Sequence, residues 1–140
     1  MKINIKQLGK HFNLQATSEE GISFLMDGSD EIGGQGKGMR PMQVLLSSLG
    51  GCSAIDVILI LKKQKQEITS FEIEIEAERE KTEDYSLFRK ICLHFKLKGR
   101  IDKEKAERAV QLSLEKYCSV AKTLEPTANI TYKLSIEFNA

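Results

Sequence analysis

The stretch MQVLLSSLGGCSAIDVILIL, from Met42 to Leu61, is the most apolar part of the 140-residue chain and decides how the rest must pack. Pro41 precedes it and suits the first turn of a helix, where no N–H donor is needed. The length would permit a membrane span. The single carboxylate, Asp56, costs about 2.5–3.5 kcal/mol at membrane depth, and strands predicted on both sides need a core helix to cover them. We therefore predict a helix buried on several sides, within its own chain or at a subunit interface, and no membrane partner.

The residues before this helix predict a meander of three short strands. Apolar residues recur there with a period of two, separated by turn residues, at Ile3, Ile5, Phe12, Leu14, Ala16, Ile22, Phe24 and Met26. The following segment, GSDEIGGQGKG from Gly28 to Gly38, predicts a flexible loop because it combines five glycines with charges and lacks apolar periodicity. It fits neither the P-loop nor the dinucleotide-binding pattern, so no nucleotide site is predicted.

The residues after the helix predict two strands, a second helix and a final strand. FEIEIEAE, from Phe71 to Glu78, alternates apolar and acidic residues as a half-buried strand does. In the next strand Cys92 falls on the face opposite the core residues, which are Ile91, Leu93, Phe95 and Leu97. Asp102 is an N-cap for the second helix, whose apolar stripe ends at Cys118. Strands in runs indicate an α+β fold with antiparallel sheet, in one domain of residues 1–140.

Composition excludes several classes of function. Lys and Arg number 21 against 20 Asp and Glu, well mixed along the chain, so no nucleic-acid partner is predicted. The N-terminal residues lack the pattern of a signal peptide, so we expect a cytoplasmic location with reduced cysteines. Three widely spaced cysteines and two histidines have no CxxC or HxxxH spacing, and no metal site is predicted.

Cys52 has two interpretations from the residues alone. It is a small apolar side chain filling a tight position behind Gly50 and Gly51, or a thiol held for chemistry. Cys52 lies about three turns from the start of the helix, too far for the terminal dipole to lower its pKa. Asp56, one turn further on, opposes ionisation unless a cation neutralises it. Helix physics by itself favours the packing role.

Two segments of the chain closely resemble the OsmC/Ohr family of thiol peroxidases, and most of all its OsmC-like branch with a GGC motif. They are PMQVLL with LGGCSAIDV, residues 41–57, and YCSV with TL, residues 117–124. The resemblance implies an OsmC-like intertwined homodimer in which antiparallel sheets wrap two long central buried helices, with active sites at the subunit interface. It implies no metal, flavin or haem cofactor.

The resemblance also implies roles for particular residues. Cys52 would attack the peroxide and become a sulfenic acid, and Cys118 would resolve it as a disulfide for an external dithiol to reduce. Met42 occupies the position where the peroxidase branches have a glutamate paired with an arginine. Arg40 is then the candidate for the activating cation, with Gln43 as its hydrogen-bond partner, and Met42 and Gln43 are the candidate substrate-binding residues.

The predicted function is therefore a cysteine-based peroxidase that reduces organic hydroperoxides or hydrogen peroxide in oxidative-stress defence. The alternative is a non-enzymatic dimer of the same fold that senses oxidant or binds a small apolar ligand. A third possibility is a domain whose cysteines only pack.

Overall fold

A computed structural model describes residues 1–139 and divides the chain into two compact units, residues 1–47 and the part that begins at Ser48. The described elements are, in order, β1 (Ile3–Gln7), β2 (Leu14–Ser18), β3 (Ser23–Met26), α1 (Pro41–Lys63), β4 (Glu67–Lys81), β5 (Ser86–Arg100), α2 (Lys103–Leu112), α3 (Ser119–Leu124) and β6 (Asn129–Phe138). These elements confirm the α+β fold class, and α1 continues across the boundary between the units.

The first unit contains the predicted meander. Strands β1, β2 and β3 form an antiparallel sheet in that order, with Ile5 opposite Ala16 and Ala16 opposite Phe24. Ala16 is buried, whereas Ile5 and Phe24 are each about half exposed. The strand prediction is confirmed, and the exposed apolar side chains leave this sheet with a face that one chain does not cover.

The glycine-rich loop is organised by one carboxylate. Asp27 is buried and accepts hydrogen bonds from the backbone N–H groups of Gly28, Gln35 and Lys37, at 2.8, 3.2 and 3.1 Å. The hydrogen bond from the Lys37 backbone is the main reason that the pKa of Asp27 lies below its usual value. The prediction of an irregular segment is correct, but three N–H groups held by one side chain give the loop a defined course.

Within a single chain, helix α1 buries one stripe of its surface. The buried residues follow a spacing near four, at Leu49, Gly50, Ser53, Val57 and Leu61. Ile55, Ile58 and Leu59 on the remaining surface are 69%, 39% and 49% exposed. By length and composition the helix could cross a membrane, but its buried stripe packs inside the second unit as that of a core helix does.

The second unit is built on a sheet in which β5 is central. Strands β4 and β5 pair in antiparallel fashion, as predicted, and β5 buries Ile91, Leu93, Phe95 and Leu97. The pairing of β5 with β6 is parallel, which corrects the prediction of an entirely antiparallel sheet. The reason is the connection: a parallel neighbour requires a crossover, and α2 and α3 supply it.

The predicted second helix is interrupted. Asp102 is its N-cap, as predicted, and accepts from the Lys105 N–H at 3.0 Å. Helix α2 ends at Leu112, a π-helical turn covers Ser113–Tyr117, and Cys118 has an extended backbone with φ −74° and ψ 104°. Cys118 is therefore not the end of a regular helical stripe. It precedes α3, a short helix that the sequence pattern does not predict.

Candidate active site

Two cysteines and a carboxylate meet within the second unit. The Sγ atoms of Cys52 and Cys118 and a carboxylate oxygen of Asp56 all lie within 4.8 Å of one another. Cys118 is fully buried, and Cys52 and Asp56 are half-buried. The structure thus brings together the two predicted cysteines, 66 positions apart in the sequence.

The irregular segment before α3 positions Cys118. The Cys118 N–H donates to the carbonyl oxygen of Ser113, five residues earlier, at 2.7 Å. This is the hydrogen bond of a π turn. The Cys118 Sγ accepts from the N–H of Ala121 at 3.4 Å and so caps the first turn of α3. The extra residue in the turn and the extended backbone together point the thiol toward α1. Such π turns occur frequently at functional sites.

A chain of hydrogen bonds fixes the carboxylate. Ser113 Oγ donates to Asp56 Oδ2 at 2.9 Å, and Ser53 Oγ lies 2.9 Å from Ser113 Oγ. Because the single hydroxyl proton of Ser113 goes to Asp56, Ser53 must be the donor to Ser113. Both serines are completely buried. The order Ser53 to Ser113 to Asp56 ties α1 to the π turn and holds the carboxylate beside the two sulfurs.

The environment of Cys118 keeps its thiol protonated. Burial is the largest cause, and contact with the Cys52 side chain, with which it is hydrogen-bonded, adds to it. The N–H of Ala121 acts in the opposite direction but does not prevail, and the pKa of Cys118 rises to about 11. The two cysteines therefore differ: Cys118 is buried and its thiol stays protonated, whereas Cys52 is only half-buried.

The two glycines before Cys52 have different surroundings. A β-carbon on Gly50 would lie 2.7 Å from Cδ1 of Ile75 on β4, so the missing side chain allows close approach of the sheet. A β-carbon on Gly51 would meet nothing within 4 Å. Helix α1 continues through both residues. The pair therefore allows close packing at one position and does not break the helix.

The other predicted site residues lie in the first unit. Arg40 is exposed and directly precedes α1, and its backbone N–H donates to Gln43 Oε1 at 2.9 Å. This is the bond that a glutamine at the third helical position makes in a capping box, so the Gln43 amide caps α1. Met42 is half-buried in the first turn. The activating role of Arg40 and the substrate-binding roles of Met42 and Gln43 remain predictions.

A separate cavity in the second unit has a volume of about 620 Å³. Gln111, Glu115, Lys122 and Tyr132 are among the residues that line it, and neither Cys52 nor Cys118 is among them. The cavity is therefore distinct from the thiol cluster.

Comparison with known proteins identifies the family. A sequence profile described as OsmC-like protein matches residues 34–133, which include both cysteines and Asp56. The chain belongs to the OsmC-like family. Protein YhfA of Escherichia coli strain K12 is 44% identical to this OsmC-like chain over 120 residues, which cover 85% of this chain and 86% of that protein.

Solved structures confirm the OsmC-like fold. A hypothetical protein from Aquifex aeolicus VF5 superposes with a TM-score of 0.85 at 27% identity, covering 99% of this chain and 97% of that one. The organic hydroperoxide resistance protein OhrB of Bacillus subtilis superposes with a TM-score of 0.66 at 22% identity, covering 96% and 98% of the two chains. This second likeness concerns the fold alone.

Sequence reasoning did not identify two members of the site. Ser113 fitted the apolar stripe of the second helix, and nothing in its spacing distinguished a hydrogen-bonding role. Asp56 carried a signal, because four residues separate it from Cys52 on the same helix face. Its partners were not predictable, since they come from the interrupted part of the chain.

Proposed function

We propose that this OsmC-like protein is a cysteine-dependent peroxidase that reduces organic hydroperoxides or hydrogen peroxide in oxidative-stress defence. The observation that carries the proposal is the pairing of an accessible Cys52 sulfur with a buried Cys118 sulfur within 4.8 Å. The names of two structural neighbours, from Bacillus subtilis and Legionella pneumophila, include organic hydroperoxide resistance, which supports the choice of substrate class.

In the first step, the Cys52 thiolate attacks the terminal oxygen of the hydroperoxide. A sulfur–oxygen bond forms, the oxygen–oxygen bond breaks, and Cys52 is oxidised to a sulfenic acid. The departing alkoxide takes up a proton and leaves as an alcohol, or as water when the substrate is hydrogen peroxide. Cys52 suits this step because it is the less buried cysteine of the pair.

In the second step, Cys118 attacks the Cys52 sulfenic sulfur. The sulfur–sulfur bond forms, and the hydroxyl group leaves as water with the proton that the Cys118 thiol gives up. An external dithiol then reduces the disulfide and is itself oxidised. The raised pKa of Cys118 means that its thiolate fraction grows with pH, so we expect this step to accelerate as the pH rises toward about 11.

A carboxylate oxygen of Asp56 lies within 4.8 Å of the Cys52 sulfur, so a cation beside Cys52 would also face an anionic group. We propose that the Arg40 guanidinium supplies the opposing charge, with Gln43 and Met42 contributing to the substrate site. The position of Arg40, which is exposed and directly precedes the helix that carries Cys52, supports this assignment.

The protein is proposed to act as a cytoplasmic homodimer with the peroxide and a dithiol reductant as its small-molecule partners. The apolar side chains that one chain leaves exposed on α1, namely Ile55, Ile58 and Leu59, support self-association. Light scattering coupled to size exclusion should give twice the chain mass of 15.8 kDa. Replacement of Leu59 by glutamate should shift the mass toward the monomer.

The test is peroxide consumption by the reduced protein with a dithiol present. Cumene hydroperoxide and hydrogen peroxide are compared for the wild type, Cys52→Ser, Cys118→Ser and the control Cys92→Ser. We expect Cys52→Ser to abolish turnover, Cys118→Ser to reduce it, and Cys92→Ser to leave it unchanged, because Cys92 lies on β5 outside the cluster. Unchanged turnover in Cys52→Ser would contradict the peroxidase proposal, and a single oxidation of Cys52 without turnover would identify a redox sensor.

A further inference from the structure

The cluster of Cys52, Asp56 and Cys118 has the donor atoms of a metal site as well as those of a redox site. Three potential ligand atoms, two sulfurs and one oxygen, lie within 4.8 Å of one another. In a tetrahedral site with zinc–sulfur bonds of about 2.3 Å, two sulfurs are about 3.8 Å apart. The two sulfurs therefore need to approach each other by at most about 1 Å around an ion of this size.

The second observation is the hydrogen-bond chain behind the carboxylate. Ser113 donates to Asp56 Oδ2, and Ser53 supports Ser113 from the buried side. Carboxylates that bind metals are commonly oriented in this way by an outer shell of hydrogen bonds. An accepted hydrogen bond leaves lone pairs on both carboxylate oxygens, so Asp56 remains able to bind an ion.

The third observation is that the Asp56 carboxylate has no cationic side chain paired with it among the described residues of the second unit. Its neighbours across the cluster are two thiols, which become anionic when they bind a metal. All three groups therefore favour a cation at their centre, and two thiolates select a borderline-soft ion over magnesium or calcium.

We propose that Cys52, Asp56 and Cys118 of one reduced chain bind a zinc ion, one per chain. The fourth tetrahedral position is left to water or to a small anion, which enters from the half-buried side of Cys52. Binding replaces the proton of each thiol, so affinity rises with pH and protons are released.

Zinc occupancy and the disulfide are mutually exclusive, because zinc binds both sulfurs as thiolates and oxidation to the disulfide leaves neither sulfur in that form. This consequence rests on the proposed peroxidase function, whereas zinc binding itself does not. If both hold, a chelator raises the rate of peroxide reduction by zinc-loaded protein.

The test uses Co²⁺ as a spectroscopic probe of the reduced, metal-free, full-length protein under anaerobic conditions and without peroxide. We expect thiolate-to-cobalt absorption together with the visible bands of a tetrahedral ion, saturating at one equivalent per chain and displaced by Zn²⁺. Cys52→Ser and Cys118→Ser should each weaken the absorption. Asp56→Asn and Ser113→Ala should each lower the affinity by about 10-fold to 100-fold, while Cys92→Ser should bind like the wild type.

A measurement on the wild type alone removes any dependence on variant folding. Zinc should protect the half-buried Cys52 from alkylation, read by mass spectrometry, and leave the half-buried Cys92 as reactive as it is without zinc. Absence of the thiolate-to-cobalt absorption, its loss in Cys92→Ser, or equal alkylation of Cys52 with and without zinc would each overturn the proposal. Peroxide turnover is measured separately with a chelator present, so either proposal can fail while the other stands.

Discussion

Helix α1 and the interrupted segment from Lys103 to Leu124 supply the two halves of the thiol cluster in contrasting ways. Helix α1 is continuous over Pro41–Lys63 and presents Cys52 and Asp56 one turn apart on the same face. The other segment consists of two helices separated by a π turn and an extended Cys118. The comparison shows that a regular α-helix is enough to place Cys52 and Asp56 together. Placing Cys118 requires a π turn and an extended residue that interrupt the helix.

Removing the π turn before Cys118 should have the largest effect, which is loss of the disulfide between Cys52 and Cys118. Deleting Lys116, an exposed residue of the π turn, should restore α-helical spacing and rotate Cys118 by about 100° around the helix axis. Oxidation of the wild type with diamide should give the Cys52–Cys118 disulfide, and the deletion variant should lose it. Mass spectrometry of the oxidised peptides is the measurement, and Lys116→Ala is the control. Equal disulfide yield in the deletion variant would show that the π turn does not position Cys118.

The next effect concerns the hydrogen bonds that join the two halves. Ser113→Ala should lower the free energy of unfolding by about 1–3 kcal/mol, because Ser53 loses its acceptor and Asp56 its donor. Urea unfolding measures the change. Ser119→Ala, which alters an exposed serine at the start of α3, is the control and should change stability by less than about 0.5 kcal/mol. Similar losses in both variants would mean that the serine chain does not tie the halves together.

A smaller effect should appear in the pH dependence of stability. Folding raises the pKa of Cys118 from its ordinary value of 9.0 to about 11, so the folded chain keeps a proton that the unfolded chain releases. This stabilising contribution is complete below about pH 9 and is lost as the pH rises to about 11. The wild type should lose stability relative to Cys118→Ser across that interval, as followed by urea unfolding at several pH values. Parallel curves would contradict the raised pKa.

The smallest expected effect is a change in stability caused by glycine substitutions in α1. Gly51→Ala should stabilise α1 by up to about 1 kcal/mol, since alanine is the better helix former and its β-carbon meets nothing within 4 Å. Gly50→Ala is the matched comparison, because its β-carbon meets Ile75 Cδ1 at 2.7 Å and packing strain opposes the gain. Urea midpoints of the two variants should therefore differ. If Gly50→Ala stabilised the protein as much as Gly51→Ala, the close approach of β4 would be unimportant.

The same contrast explains which features the sequence predicts. Periodicity identifies the meander, α1, and the core residues of β5, because each is regular over several residues. One chain buries a single stripe of α1, because composition shows that a helix is apolar but not whether its own chain covers it. The parallel β5–β6 pairing was missed because strand direction depends on the connection, which a local pattern does not contain.

The residues of the candidate site also differ in whether the sequence predicts them. Its two cysteines were predicted from the resemblance to a family, whereas helix physics alone favoured a packing role for Cys52. Ser113 and the extended backbone at Cys118 were not predicted, because a π turn differs from an α-helix by a single extra residue. Asp56 was visible as a neighbour of Cys52, but its approach to Cys118 depends on that turn.

The parallel pairing of β5 and β6 also bears on the order of folding. Strands β4 and β5 are joined by a short turn in which Thr82 and Tyr85 are hydrogen-bonded, so they form a local hairpin. Strand β6 reaches β5 only after residues 101–128 have been spanned. Closing the longer loop carries the larger entropic cost, so the β5–β6 ladder should form late. The cluster would then be assembled late as well, because the segment that carries Cys118 lies inside that loop, and a newly made chain would hold its two reactive thiols apart until folding is nearly complete.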